Sequence, residues 1–178
     1  MVIYMKSAAS FIRNQVIANI IINFTLAYYL SKHALEGMSV IPYEAPVNDM
    51  FHPNMAGDLL VGTFIMGVVL TFVMTALTRL QTNNGAINLD NIKQPSKITF
   101  LPNPLLFRAL VVGFLAAMVL AFPVAAILDV LKVHSMPSGS YILYHAVYCA
   151  AASALVCIVV CQRALIDSPR HSEHRALE

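Results

Sequence analysis

Four long apolar stretches constrain this chain more than any other feature of its sequence. They cover residues 14–31, 59–80, 107–131 and 141–165, and an α-helix needs about 20 residues to cross the hydrocarbon core of a bilayer. Inside lipid, a backbone satisfies its polar groups only in a helix or a closed barrel. The apolar residues run continuously instead of alternating, which favours helices over barrel strands. The sequence therefore predicts an all-α, polytopic membrane protein, built as a four-transmembrane-helix bundle.

The composition of the chain excludes the common classes of soluble protein. Apolar residues occupy 58% of the 178 positions and charged residues only 11%, whereas soluble domains average about 45–50% and about 25%. So few charges cannot cover a core of this size with a polar shell. The formal net charge of +2 is also too small for a polyanion partner. We therefore expect the lipid bilayer as the partner, and no nucleic acid.

The positions of lysine and arginine predict the orientation in the membrane. If the amino terminus is inside, nine of the 11 basic residues fall in inner segments and two in outer segments, as the positive-inside rule requires. Residues 1–166 then form a single transmembrane domain, and residues 167–178 form a polar cytoplasmic tail. We expect a bacterial inner (cytoplasmic) membrane, with both termini cytoplasmic. The two outer basic residues are Lys32 and Lys132, and the inner ones are Lys6, Arg13, Arg79, Lys93, Lys97, Arg108, Arg163, Arg170 and Arg175.

Each predicted helix carries a stripe of small or polar residues at every fourth position. Small residues let membrane helices approach closely, and hydroxyl or amide groups can bridge between them. We therefore expect the stripes to form the inner seam of the bundle. The functional alternative is that part of this seam lines a polar path or pocket. Pro123 is expected to kink the third helix, because its ring removes a backbone bond to Val119. The residues assigned to helix packing are Thr63, Gly67, Thr71, Thr75, Gly113, Ala117, Ala121 and Ser153.

Ionisable residues inside the spans are the first candidates for function, because they are costly in lipid. Asp58 opens the second span, Asp129 ends the third and His145 lies one turn into the fourth. A short turn joins the last two spans, so Asp129 and His145 are expected to lie close together as a ligand site or proton relay. A purely structural role, with Asp58 capping a helix and Asp129 pairing with Lys132, is the alternative.

A metal site is a further alternative, since imidazole and carboxylate groups suit several divalent metals. The sequence leaves the metal unknown, because the spacing is irregular and no HExxH pair is present. The residues concerned are Asp58, Asp129 and His145 at the outer ends of the spans, together with those in the loops that are predicted to be outside: His33, Glu36, Glu44, Asp49, His52 and His134.

Asn19 and Asn23 are the most deeply placed polar side chains of the first span. Both lie on one helix face and need hydrogen-bond partners inside the bundle, for which Thr71 and Thr75 are candidates. They are interpreted as packing residues or as contacts to a polar solute. All three cysteines lie in the fourth span without a CxxC motif, and no nucleotide, haem or hydrolase motif is present. No cofactor is predicted.

These observations predict a small integral membrane protein that mediates passage or binding of a small solute or ion. Four helices enclose little space, so a homo-oligomer is expected. A structural or accessory subunit of a larger membrane complex is the second interpretation, and a membrane-embedded enzyme is the third. The sequence does not name the solute.

Overall fold

The computed structural model describes residues 6–45, 49, 52–88 and 100–167. Long helices dominate this part of the chain. They are α1 (Ala8–Ala34), α2 (Met55–Asn83), α3 (Leu105–Ala116), α4 (Phe122–Val130) and α5 (Ser138–Ile166). The predicted stretches fall almost wholly inside these helices, which extend past the apolar residues into polar ones at most of their ends.

The third apolar stretch is one membrane-length helix with an irregular turn in its middle. A π-helical turn at Ala117–Ala121 connects α3 to α4. Pro123 follows it at the start of α4, and its missing N–H accounts for the local loss of the regular hydrogen-bond ladder. The predicted effect of Pro123 is thus absorbed by a wider turn, and the helix continues to Val130.

Three helical segments of the described chain are long and apolar enough to cross a membrane, namely α2, Leu105–Val130 and α5. The protein is therefore a helical, multi-pass membrane protein. The first helix is equally long, with 27 residues, but it does not meet the same criterion. Gln15, Asn19 and Asn23 lower its average hydropathy below that of the other three segments.

The helices pack in a fixed order. α1 lies against α5 over much of its length, α2 lies against α5 on one side and α3 on the other, and α3 scarcely touches α5. The backbones of α2 and α3 approach closely: a Cβ atom built on Gly67 would lie 2.8 Å from the Cα atom of Gly113. Between α3 and α5 an apolar cavity of about 360 Å³ opens on the outside of the bundle.

Two short strand pairs tie the connecting segments together at opposite ends of the bundle. β1 (Lys6–Ser7) runs parallel to β3 (Ile87–Asn88) near the start of α1. β2 (Val40–Pro42) runs antiparallel to β4 (Ser135–Pro137) over the start of α5. The end of the bundle that carries β2 and β4 is called the His145 end, and the end that carries β1 and β3 is called the Arg108 end.

Candidate functional site

His145 lies at the centre of a polar cluster at the His145 end, between α1, α2 and α5. Its Nδ1 atom is 2.8 Å from the Oγ atom of Ser31 at the end of α1. Its Nε2 atom is 3.4 Å from the Sγ atom of Cys149, one turn further along α5. The two ring nitrogens therefore face two different exchangeable protons, so the imidazole can accept a proton at one nitrogen and release one at the other.

Tyr141 connects this imidazole to a carboxylate. Its ring stacks on that of His145 with the centroids 5.6 Å apart, and its hydroxyl donates to the Oδ2 atom of Asp58 at 2.9 Å. Tyr141 is buried whereas Asp58 is exposed, so the cluster leads from the surface into the bundle. Asp58 does not cap α2: the side chain of Asn54 does so, accepting from Gly57 N–H at 2.7 Å.

Asp129 lies apart from this cluster. It is exposed at the end of α4, and no hydrogen bond or ion pair joins it to His145 or involves its side chain in the described part of the chain. Its charge acts on Tyr43 instead: burial raises the pKa of the Tyr43 hydroxyl, and Asp129 and Glu44 add to that rise. The structure therefore brings Asp58 and His145 together through Tyr141, and it does not join Asp129 to either.

Polar contacts continue along α5 below His145. The hydroxyls of Thr63 and Tyr148 are 2.8 Å apart, which links α2 to α5. One turn deeper, the Oγ atom of Ser153 donates to the carbonyl oxygen of Ala150 at 2.9 Å and lies 3.5 Å from that of Asn19. We call this line of polar side chains between α1, α2 and α5 the central seam, defined by Ser31, Asn19, Thr63, Thr71, Thr75, His145, Tyr148, Cys149, Ser153 and Cys157.

The two asparagines of α1 have partners other than the predicted threonines. The Nδ2 atom of Asn19 donates to the backbone oxygen of Gln15 at 2.9 Å and lies within hydrogen-bond distance of the Sδ atom of Met74, at 3.3 Å, and of the Sγ atom of Cys157, at 3.4 Å. Among the described residues, the Asn23 side chain bonds only to Asn19, its Nδ2 atom donating to the backbone oxygen at 3.0 Å and to the Oδ1 atom at 3.4 Å. Asn19 is thus a buried link between α1, α2 and α5, and Asn23 supports it from the same helix.

Some threonine hydroxyls of α2 have a hydrogen-bond partner and others do not. Thr71 donates to the carbonyl oxygen of Gly67 at 2.7 Å. The buried hydroxyls of Thr75 and Thr78 have no hydrogen-bond partner among the described residues. An unmet buried hydroxyl costs about 1–3 kcal/mol, which a bound water molecule or ion would offset, and the Thr78 hydroxyl lies beside the Cys161 thiol.

The residues assigned to helix packing all lie inside the bundle. Close approach at Gly67 and Gly113 holds α2 against α3, and the remaining six are buried on the same helix faces as these glycines or along the central seam. The buried residues are Thr63, Gly67, Thr71, Thr75, Gly113, Ala117, Ala121 and Ser153.

The imidazoles and carboxylates of the loops do not gather into a metal centre in the part of the chain that the structure describes. His33 and Glu36 form one exposed pair at 3.6 Å, and Asp49 and His52 form another at the same distance. No group of three or more His, Cys, Asp or Glu side chains is placed to hold a metal ion within the described ranges.

A second charged cluster, which the sequence did not predict, closes the Arg108 end. Arg108 and Arg163 are both buried and both pair with the carboxylate of Asp167, for Arg163 at 3.3 Å. Arg163 also donates to the Oδ1 atom of Asn103 at 2.7 Å. From the sequence, these arginines indicate only the orientation in the membrane, and Asp167 belongs to the predicted polar tail. Residues 168–178 lie outside the described residues.

Comparison with known proteins adds no relative to this description. No protein-family model, no curated protein and no solved structure matches the chain.

Proposed function

We propose that the protein crosses the membrane four times, with α1 as the fourth span. The polar residues that lower the hydropathy of α1 face α5, since Asn19 and Ser31 are buried there. The opposite face is apolar and exposed, with Ile17, Ile21 and Leu30 at 51%, 61% and 66% exposure. A helix of this length extends about 40 Å, enough to span the hydrocarbon core. The composition of α1 is therefore typical of a membrane-spanning helix whose polar face is covered by another helix, here α5.

The proposed orientation places both termini in the cytoplasm of a bacterium, with the chain in the inner membrane. The charge distribution supports it, since Arg13, Arg79, Arg108 and Arg163 all belong to the Arg108 end and basic residues are enriched on the cytoplasmic side. The Arg108 end is then cytoplasmic and the His145 end is outside. The oligomer expected from the sequence stays a prediction.

Within this frame, the function that the geometry supports best is binding and passage of a small ion or solute along the central seam. One observation carries the proposal: an exposed carboxylate, Asp58, is linked through Tyr141 to His145, whose ring nitrogens contact Ser31 and Cys149. Ionisable groups that face a bundle interior typically mark ion pathways.

The size of the ligand follows from how tightly the seam is packed. Thr63, Thr71, Thr75 and Ser153 are at most 2% exposed, so side chains fill the space between the helices. A large solute would need the helices to separate widely. A small cation or a proton needs only successive ligands, and the hydroxyl oxygens of Thr75 and Thr78 supply unpaired ones below Asn19. We therefore assign a small cation or a proton as the ligand.

Flux into proteoliposomes tests this function. The purified chain is reconstituted into vesicles loaded with a pH-sensitive dye or with a dye quenched by Tl⁺, and influx is followed after an imposed gradient. We expect influx of at least one of the two probes above that of protein-free vesicles. His145→Gln and Asp58→Asn should slow it by about tenfold or more, a barrier increase of about 1.4 kcal/mol.

Asp129→Asn is the matched control, because Asp129 is the acidic residue at similar depth that lies outside the cluster. It should leave influx unchanged. Influx of both probes no faster than in protein-free vesicles would reject the proposal, and would favour an accessory subunit if the chain also purifies with one larger membrane complex. An equal loss in Asp129→Asn would show that the cluster is not the site.

A further inference from the structure

Three buried sulfur-bearing side chains, Met74, Cys157 and Cys161, are linked by direct contacts or through Asn19 beside the middle of the central seam. The Sγ atoms of Cys157 and Cys161 are 3.8 Å apart on successive turns of α5. The Sδ atom of Met74 and the Sγ atom of Cys157 both accept from one nitrogen of Asn19, at 3.3 and 3.4 Å. All three sulfur-bearing residues are at most 1% exposed, and none of the cysteines is in a disulfide.

The separation of the two thiols matches that of two ligands on one metal ion. Metal–sulfur bonds of about 2.3 Å place two sulfurs roughly 3.8–4.0 Å apart at tetrahedral to trigonal angles. The distance between Cys157 and Cys161 therefore needs no change of helix geometry to accept an ion. Met74 approaches the same place from α2, because it shares the Asn19 amide with Cys157.

The donor atoms determine the class of metal. Thiolate and thioether sulfur together select soft ions such as Cu⁺, whereas structural Zn²⁺ sites use cysteine, histidine and carboxylate ligands. The third ligand here is a methionine. Among the described residues, no group of three or more His, Cys, Asp or Glu side chains is placed to hold a metal ion. Two thiols and one thioether suit a monovalent copper ion.

We infer that Met74, Cys157 and Cys161 form a site for Cu⁺ in the middle of the bundle, an inference that rests on the proposed passage of a small cation along the seam. Binding displaces the proton of one thiol: Cu⁺ and the protonated Cys157 give a copper–thiolate bond and one H⁺, which leaves to water. No electron is transferred, and the ion remains Cu⁺. One positive charge enters as another leaves, so the buried site stays neutral.

The surroundings of the site support this assignment. The Asn19 amide donates to the Cys157 sulfur, and such a bond stabilises the negative charge of a ligating thiolate. His145 and Cys149 lie on the same stripe of α5 nearer the His145 end, and imidazole and thiol groups are also ligands for copper. The stripe thus presents suitable donors from the surface to the sulfur site, with Ser153 between them.

Competition with a coloured chelator tests the site in the purified full-length chain. The protein in detergent is titrated anaerobically against the Cu⁺ complex of bathocuproine disulfonate with ascorbate present. We expect one Cu⁺ bound per chain, and X-ray absorption at the copper edge should show only sulfur neighbours. Met74→Leu, which conserves volume, and Cys157→Ser should each weaken binding by tenfold or more. Met118→Leu, on an exposed methionine of the π-helical turn, should leave binding unchanged.

Circular dichroism of each variant separates loss of ligands from loss of fold, and Met74→Leu keeps the test valid if Cys157→Ser does not fold. Failure of the wild-type chain to take Cu⁺ from the chelator overturns the inference, as does undiminished binding by a folded Met74→Leu variant. This failure can be told apart from failure of the proposed function. If the chain binds no Cu⁺ but its proteoliposomes still pass protons or Tl⁺, the copper site is rejected and the proposed pathway is retained. Nitrogen or oxygen neighbours in place of sulfur would also overturn it.

Discussion

The contact between α2 and α3 gives the sharpest prediction on stability. Replacing Gly67 by alanine adds a Cβ atom 2.8 Å from the Cα atom of Gly113 and 3.4 Å from the carbonyl oxygen of Val112. These neighbours are backbone atoms, so they cannot rotate away as a flexible side chain would. The added atom can be accommodated only if the two helices move apart.

The size of the effect follows from the required movement. Carbon atoms pack best at about 3.5–4.0 Å, so the contact must open by about 1 Å, which forfeits a quarter to a half of the attraction at each displaced contact. Overpacking of this kind costs about 1–3 kcal/mol. Because membrane helices associate mainly through such packing, we expect Gly67→Ala to lower the free energy of unfolding by that amount.

Gly62→Ala is the matched control on the same helix. The nearest atom to a Cβ at Gly62 is Nε2 of His145, at 4.0 Å, so the methyl group fits. Alanine gains up to about 1 kcal/mol of helix propensity over glycine, and Gly62→Ala should be neutral or slightly stabilising. Reversible unfolding in mixed micelles, titrated with dodecyl sulfate and followed by circular dichroism, measures both variants. Equal stabilities of the two would refute the close α2–α3 contact.

Further predictions concern the charged cluster, the polar link to α1 and the topology. Asp167→Asn should destabilise the fold by about 3 kcal/mol in the same titration, since it leaves two buried guanidinium groups without a carboxylate; Arg79→Gln, at an exposed site, should change it by less than about 0.5 kcal/mol. Ser31→Ala should cost about 1–2 kcal/mol through its lost bond to the imidazole, and no change would show that α1 is held by apolar contacts alone. In a chain without native cysteines, Ser39→Cys should react with an impermeant maleimide added outside intact cells. Asn84→Cys should react only after the cells are lysed, because the charge bias places it inside. The reverse result would invert the proposed orientation.

The positions of the helices could be predicted from the sequence because the bilayer imposes a minimum length of apolar chain. The every-fourth-residue stripes also indicated which face of each helix turns inward, as the burial of Gly67, Thr71 and Ser153 illustrates. The sequence does not predict in the same way which large apolar residues face the protein core and which face lipid. Leu70 is buried and Val69 is exposed, because lipid tails and protein interior are equally apolar surroundings.

The site was harder to predict, because its contacts join helices that are distant in the sequence. A short turn between α4 and α5 brings their ends together, but it does not fix which side of each end faces the other. Asp129 therefore remains exposed, while His145 contacts Ser31 of α1. Likewise, burial of Arg108 and Arg163 depends on Asp167 reaching both of them, which no local pattern reveals.

Access of small cations to the middle of the central seam tests the account most directly. Cys149→Ser and Cys161→Ser leave Cys157 as the single cysteine, and the rate of its reaction with Ag⁺, a small thiol-binding cation, is measured in proteoliposomes. A chain without native cysteines that carries Val159→Cys, on an exposed apolar face of α5, is the control. The account predicts that Cys157 reacts, that His145→Gln slows the reaction, and that position 159 does not react from water. An unreactive Cys157 in vesicles that pass cations would contradict it, because the ions would then travel by another route.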